Sequence, residues 1–175
     1  MEIQDQYKWL LQESGPKMLL EALKLYGTHE TPGTSDNPII LSWAKELGIN
    51  WYTHDSIPWC GLFMGIIAKR ADHPFNPNLL LSALNWVKFG TKVDEAKLGD
   101  VLVFKRTGGG HVTLYIGEDD QAYHCLGGNQ SDQVNIERIA KSRIYSIQRP
   151  PYEVEPINIR KIILNSTGKL STNEA

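Results

Sequence analysis

The stretch from Asp55 to Ala68 constrains the fold more than any other part of this chain. In it a proline and a tryptophan precede Cys60, and an apolar run follows directly. The apolar residues fall on one stripe of a helix and predict a buried helix over 59–70: Leu62, Phe63, Ile66 and Ile67. Pro58 suits the start of that helix, where its missing N–H removes no hydrogen bond.

A cysteine at the N-terminus of a buried helix has a specific chemistry. The partial positive charge of the helix end and its free N–H groups favour the thiolate over the thiol. A thiolate is the form that attacks a carbonyl carbon. The competing interpretation of Cys60 is an ordinary buried cysteine, since free cysteines are among the most buried residues. The stretch by itself leaves both interpretations open.

Composition limits the classes of protein and of partner. A chain of 175 residues with 41% hydrophobic and 22% charged residues predicts one domain with a core. We place that domain at 1–160 and a polar, partly disordered tail at 161–175. A formal charge of -2 gives no reason to expect nucleic acid or an anionic membrane as a partner. Cys60 and Cys125 do not make a disulfide framework.

The order of the predicted elements indicates an α+β domain. Helices are expected at 39–47, 59–70 and 79–89, with two helical pieces over 7–26 around Ser14, Gly15 and Pro16. From Leu98 onward the pattern changes to short strands at 101–104, 111–117, 122–126, 133–137 and 143–148. Helices followed by an antiparallel meander predict that the helices pack on one face of the sheet.

Two histidines fall on the predicted sheet. His111 opens a strand after three glycines, and strand alternation places it with Thr113 and Tyr115 on one face. A hairpin turn centred on Asp119 and Asp120 would set His124 opposite Tyr115, on the same face as His111. A cysteine, a histidine and a second polar group on one face form a nucleophile, a base and an orienting group.

The orienting group has two candidates, His124 and the Asn129 amide. Each residue also has a structural explanation: a strand histidine is commonly only hydrogen-bonded, and Asn129 beside two glycines suits a turn. Asp100 after Gly99 is expected to be a turn residue at a strand start.

Three segments in order resemble the papain-like NlpC and CHAP superfamily of bacterial cell-wall peptidases and amidases. They are Pro58-Trp59-Cys60-Gly61-Leu62-Phe63, Leu98-Gly99-Asp100-Val101-Leu102-Val103-Phe104 and Gly110-His111-Val112-Thr113-Leu114-Tyr115-Ile116-Gly117. The segment Leu126-Gly127-Gly128-Asn129-Gln130-Ser131-Asp132 is similar to a phage- and effector-associated branch. The resemblance covers about residues 28–150 and implies a papain-like fold.

By this resemblance Cys60 is the nucleophile and His111 the general base. The third position matches His124 in the NlpC pattern and Asn129 in the CHAP pattern, and the register places His124 first. Trp59 precedes Cys60 where the NlpC form commonly has aspartate. Substrate binding is assigned to Trp59, Gly110 and Gln130, which adjoin the catalytic candidates.

The resemblance implies a thiol-dependent hydrolase of an amide bond in peptidoglycan, acting without a metal or other cofactor. The expected bond is γ-D-glutamyl–diaminopimelate for an endopeptidase or N-acetylmuramoyl–L-alanine for an amidase. We expect a monomer, made in the cytoplasm without a signal peptide, that acts in the periplasm or wall of a target or host bacterium. It would be an antibacterial effector, held in check by an immunity protein, or a phage lysin.

Two other functions remain open. A zinc hydrolase could use His111, His124 and Cys60 or Asp100, although no HxH or HExxH spacing is present. A catalytically silent domain that binds the wall or a protein partner could keep the same fold.

Overall fold

The computed structural model describes residues 2–166 and 168–173, and these residues form an α+β fold. The α-helices and strands follow one another as α1 (Lys17–Lys24), α2 (Pro38–Glu46), α3 (Cys60–Arg70), β1 (Thr91–Val93), β2 (Val101–Arg106), β3 (Gly109–Glu118), β4 (Ala122–Gln130), β5 (Gln133–Ala140) and β6 (Ile144–Arg149). Short 3₁₀ helices lie at Asp5–Gln12, Ala83–Lys88 and Lys141–Arg143. The predicted fold class is confirmed.

The six strands form one antiparallel sheet in the order β1-β6-β2-β3-β4-β5. Strand alternation on β3 divides its side chains between two cores. Val112, Leu114 and Ile116 pack into the larger core, which contains the helices. Tyr115 belongs to a smaller core on the other face, with Phe104 of β2. The helices therefore cover one face of the sheet, as the order of elements predicts.

Helix α3 is the centre of the larger core. Every residue from Cys60 to Ala68 is buried, so the helix is enclosed on all sides rather than along one stripe. Each large apolar side chain in it contributes about 1.5–3 kcal/mol by leaving water. A Cβ at position 61 would lie 2.1 Å from the carbonyl oxygen of Leu80. Glycine is therefore required at position 61 for the backbone at Leu80 to pack this closely against the start of the helix.

Most predicted elements agree with the structure to within a few residues, but one helix is shorter than predicted and one strand was not predicted. The segment 79–89 contains only the 3₁₀ helix Ala83–Lys88 in place of a full α-helix. The three-residue edge strand β1 has too short a pattern to be detected in the sequence. The strands of the meander extend beyond their predicted ends, most of all β4, which continues to Gln130.

The chain beyond β6 runs back along the sheet. The backbone N–H of Glu118 donates to the carbonyl oxygen of Ile162, and the carbonyl oxygen of Glu118 accepts from the N–H of Leu164. The Arg138 guanidinium donates to the carbonyl oxygen of Gly168 and to the Ser166 hydroxyl. Residues 1, 167, 174 and 175 lie outside the described residues, and the partial disorder expected over 161–175 stays a prediction. Among the helices described, none has both the length and the apolar character needed to cross a membrane.

Candidate active site

Cys60 is the first residue of α3, as predicted, but its thiol is enclosed. The residue is only 3% exposed, and burial raises the pKa of the Cys60 thiol. The backbone N–H groups of Val112, Gly61 and Cys60 itself favour the thiolate and offset part of this effect. The prediction of a lowered thiol pKa is therefore wrong in its net direction, because desolvation outweighs the helix end.

The same contacts place the sulfur beside the start of β3. The N–H of Val112 lies close enough to the Cys60 sulfur to stabilise its negative charge. Val112 directly follows His111 on β3, so the Cys60 sulfur lies beside the backbone of the strand that carries His111. The His111 side chain belongs to the other alternating set of this strand, since His111 pairs with Phe104 of the smaller core.

The imidazole of His111 is held by Gln130. His111 is fully buried, and its Nε2 lies 3.0 Å from Gln130 Oε1. The amide nitrogen of Gln130 donates to the carbonyl oxygens of Cys125 and Asn135, at 3.1 and 3.0 Å, and to the Asn135 side chain at 3.0 Å. These three acceptors fix the orientation of the amide, since only its NH₂ group can donate to them.

The fixed amide determines which nitrogen of His111 is basic. Because Gln130 presents its oxygen, the Nε2 of His111 must carry the proton that forms the hydrogen bond. In neutral imidazole the other nitrogen, Nδ1, then bears the lone pair. This is the role of the orienting group in a catalytic triad, which a neutral amide also fills in papain-like proteases.

His124 does not fill that role in the structure. The sequence predicts that His124 pairs with Tyr115. In the structure a β-bulge between Tyr115 and Gly117 shifts the register, and His124 pairs with Gly117 instead. Its Nδ1 lies 2.7 Å from Tyr7 Oη and its Nε2 lies 2.8 Å from Asp119 Oδ2. Both ring nitrogens are thus engaged away from His111.

Asn129 contacts the loop before Cys60 instead of His111. Its backbone φ of 56° lies in the left-handed region, which asparagine tolerates better than most residues. With the side-chain amide oriented to satisfy both of its atoms, Oδ1 accepts from the Trp59 N–H and Nδ2 donates to Glu30 Oε1, each at 3.2 Å. Asn129 therefore braces the residue from which α3 begins.

Of the residues assigned to substrate binding, Gln130 contacts His111 through its side chain. The Trp59 ring is fully buried beside Trp43, with centroids 6.0 Å apart, and its Nε1 donates to Glu30 at 2.7 Å. It is a core residue with no face open to a substrate. Gly110 is half-buried next to Leu84, whose Cδ2 would lie 2.6 Å from an added Cβ.

The residues considered for zinc are held elsewhere. Asp100 is fully buried and receives two hydrogen bonds from the Arg149 guanidinium, at 3.1 and 2.8 Å. Its backbone position before β2 is that of a turn residue, as predicted. Within residues 2–166 and 168–173, no three side chains of the His, Cys, Asp or Glu type are arranged to hold a metal ion. Cys60 and Cys125 are not joined by a disulfide.

No family model matches this chain, and no curated protein matches it significantly. The resemblance to the NlpC and CHAP superfamily therefore rests on the ordered motifs themselves. The contact between His111 and Gln130 is an observation independent of those motifs.

The buried His124 makes the stability of the fold dependent on pH. Burial lowers the pKa of His124, and although Asp119 opposes this, the charge of that carboxylate is already balanced by Arg138. As the pH falls, His124 is therefore protonated in the unfolded chain before it is protonated in the folded chain. Stability is full above the unfolded pKa of about 6.5 and is lost as the pH falls below it.

We therefore expect the wild-type melting temperature to be lower at pH 5.5 than at pH 7.5, and the difference to shrink in His124→Gln. His29→Gln, in an exposed loop residue, is the matched control and should keep the wild-type difference. A pH dependence that is the same in all three proteins would show that His124 does not titrate in this way.

Proposed function

We propose that this chain is a cysteine hydrolase that cleaves an amide bond in the peptide of bacterial peptidoglycan. The observation that carries the proposal is the hydrogen bond from His111 Nε2 to the fixed oxygen of Gln130. It leaves Nδ1 as the basic nitrogen on a residue whose neighbour, Val112, contacts the Cys60 sulfur. The wall substrate comes from the resemblance of the three motifs.

In the proposed reaction, His111 Nδ1 takes the thiol proton as the Cys60 sulfur attacks the carbonyl carbon. The tetrahedral intermediate collapses, the carbon–nitrogen bond breaks, and the imidazolium gives its proton to the departing amine. Water then attacks the thioester with His111 again as base, and the thiol is restored. Gln130 accepts from Nε2–H throughout and stabilises the imidazolium in each step.

The oxyanion of the intermediate needs donors at the N-terminus of α3. The Cys60 N–H already lies near its own sulfur, at the end of the helix where the backbone N–H groups are not used within the helix. A donor of this kind supplies about 2.7–4 kcal/mol of transition-state stabilisation. We assign the Cys60 N–H this role.

The proposal requires the site to open. Cys60 is only 3% exposed. The segments around its sulfur must therefore move before a polymer substrate can reach it. The raised pKa of the buried thiol fits a resting form that carries its proton until substrate enters. His111 is then needed to remove the proton, because the helix end alone does not.

The biological setting follows from the resemblance and remains part of the proposal. The protein would be an antibacterial effector with an immunity protein in the producer, or a phage lysin, and would act as a monomer on the wall of another bacterium. The alternative bonds are γ-D-glutamyl–diaminopimelate and N-acetylmuramoyl–L-alanine.

The burial of Cys60 favours one other function, a catalytically silent domain that binds the wall or a partner. Such a domain would keep the fold and need no access to the sulfur. It predicts that wild type and Cys60→Ala bind purified peptidoglycan equally and that neither releases soluble fragments.

The experiment that tests the proposed function is digestion of purified peptidoglycan by wild type and Cys60→Ala, followed by mass spectrometry of the released fragments. We expect wild type to release fragments with one new amine and one new carboxylate at a single type of bond, and Cys60→Ala to release none. Equal release by both proteins would overturn the proposal, as would intact peptidoglycan after prolonged treatment with wild type.

A further inference from the structure

The segment 168–173, which we call the strap, lies against β5, the strand at one end of the sheet. The Arg138 guanidinium on β5 donates to the carbonyl oxygen of Gly168 at 2.6 Å. The N–H of Ser171 donates to the carbonyl oxygen of Arg138 at 2.8 Å, and the Ser171 hydroxyl donates to Glu137. The strap therefore takes up part of the backbone edge that an outer strand would otherwise expose.

The end of the strap reaches the turn that carries Gln130. The N–H of Ser131 donates to the carbonyl oxygen of Asn173 at 3.0 Å. Ser131 directly follows Gln130 and has a φ of 51°, in the left-handed region that a serine rarely adopts. A hydrogen bond to this turn also restrains Gln130, whose oxygen lies 3.0 Å from His111 Nε2.

The strap also forms one side of a cleft beside the candidate site. Thr172 and Asn173 line this cleft, of about 620 Å³, together with Arg106 of the β2–β3 hairpin. Arg106 Nε donates to the carbonyl oxygen of Gly110, at the start of β3, at 3.3 Å. Burial raises the pKa of the Cys60 thiol and the charge of Arg106 opposes this, so Arg106 lies within electrostatic range of the sulfur. The strap therefore lies on an approach to the site.

The strap is held less firmly than the elements that it adjoins. All of its residues except Ser171 are exposed, and the apolar side chain of Leu170 is 41% exposed. Helix α3, by contrast, is buried from Cys60 to Ala68. Segments with few buried apolar contacts open at a lower free energy than the core does. The strap can therefore leave β5 while the rest of the fold stays intact.

We propose that the strap is an autoinhibitory cover, which holds the site closed over Cys60 while it is paired with β5 and opens the sulfur to substrate when it is released. The opening that the hydrolase requires is then the loss of two hydrogen bonds, from Ser171 to Arg138 and from Ser131 to Asn173. As regulation of a hydrolase, the inference rests on the proposed function. Access to the sulfur can be measured without any cleavage of substrate.

The test compares the rate at which iodoacetamide alkylates Cys60 in wild type and in Ser171→Pro, measured by mass spectrometry of peptides from quenched samples. Proline removes the N–H that donates to Arg138 and so weakens the strap. Alkylation of a buried thiol follows the population of the open form. We therefore expect alkylation of Cys60 to be about tenfold faster in Ser171→Pro. Cys125, fully buried in the smaller core, is the internal reference and should keep its rate.

Lys169→Ala is the matched control, since it changes an exposed side chain of the strap and keeps the hydrogen bonds described above. It should be alkylated at the wild-type rate. Brief treatment with trypsin reports release of the strap, because cleavage after Lys169 should be faster in Ser171→Pro. Equal alkylation of Cys60 in wild type and Ser171→Pro, equal acceleration at Cys60 and Cys125, or unchanged cleavage after Lys169 would each overturn the inference.

The two proposals fail in different ways. Fragment release from peptidoglycan by wild type, with equal alkylation of Cys60 in both proteins, would keep the hydrolase and reject the strap. Faster alkylation in Ser171→Pro, without fragment release by either protein, would reject the hydrolase and keep the strap as the cover of a buried thiol. If both proposals hold, Ser171→Pro should raise kcat/KM for peptidoglycan by a factor similar to that for alkylation.

Discussion

His111→Ala is expected to lower kcat/KM for peptidoglycan fragments by about 10³-fold, the range of a lost general base. The proton of the Cys60 thiol would then have no acceptor, and burial already raises the pKa of that thiol. The departing amine would also lack its proton donor. The measurement is the initial rate of amine release from soluble disaccharide-peptides over a range of substrate concentrations.

His54→Ala is the matched control for that loss, because His54 is exposed and contacts Asp36 at the surface. It should keep wild-type kinetics. Since His111 is buried, circular dichroism and thermal melting must show that His111→Ala is folded. Partial recovery of its activity by added imidazole is expected. A folded His111→Ala protein with more than a tenth of wild-type activity would contradict the assignment.

Gln130→Ala is expected to lower kcat on the order of 10²-fold with little change in KM. The loss should be smaller than the roughly 10⁴-fold effect of a charged orienting group, because Gln130 contributes a neutral acceptor. The substitution also leaves the carbonyl groups of Cys125 and Asn135 without the Gln130 donor, so a stability loss of about 1–3 kcal/mol is expected. Rates and melting temperatures are measured together to separate the two effects.

The Gln130→Glu variant tests whether Gln130 acts on His111, because a purely structural role for Gln130 would leave the pH–rate profile unchanged. A carboxylate beside Nε2–H favours the imidazolium, so the acidic limb of the pH–rate profile should shift to higher pH. Asn129→Ala and His124→Ala are the matched comparisons at the two positions first predicted, and their acidic limbs should stay in place. An unmoved limb in Gln130→Glu, or a shifted one in His124→Ala, would reject the assignment of Gln130.

The sequence contains enough information to predict the two halves of the site. The apolar spacing after Cys60 locates α3, and the alternation after Gly110 locates β3 with His111 at its start. Both patterns reflect burial of one set of side chains, which the local sequence encodes. The order of helices and strands predicts the fold class for the same reason.

The orienting residue could not be read from spacing because β-bulges break strand alternation. One bulge between Tyr115 and Gly117 moves His124 out of its predicted register. A second irregularity between Gly127 and Gln130, with Asn129 at positive φ, brings Gln130 to His111 instead. The sequence signal was that Gln130 directly follows Asn129, the second of the two candidates, in the same motif.

The net pKa of Cys60 is a second property that the local sequence could not supply. The helix end favours the thiolate as expected, but the larger influence is desolvation by residues distant in the chain. The fully buried Trp59 is a similar case, since its contacts with Trp43 and Glu30 come from earlier segments. Burial by such segments depends on tertiary packing and has no local pattern.

We propose that Nδ1 of His111 takes the proton of the Cys60 thiol while Nε2–H of His111 donates to Gln130. The most direct test is a long-range ¹H–¹⁵N spectrum of the histidine rings in wild type and Cys60→Ala, recorded at a pH where His111 is neutral. We expect a proton on Nε2, none on Nδ1, and a shift of the Nδ1 resonance when the sulfur is removed. A proton on Nδ1, or an Nδ1 resonance that is the same in both proteins, would contradict it.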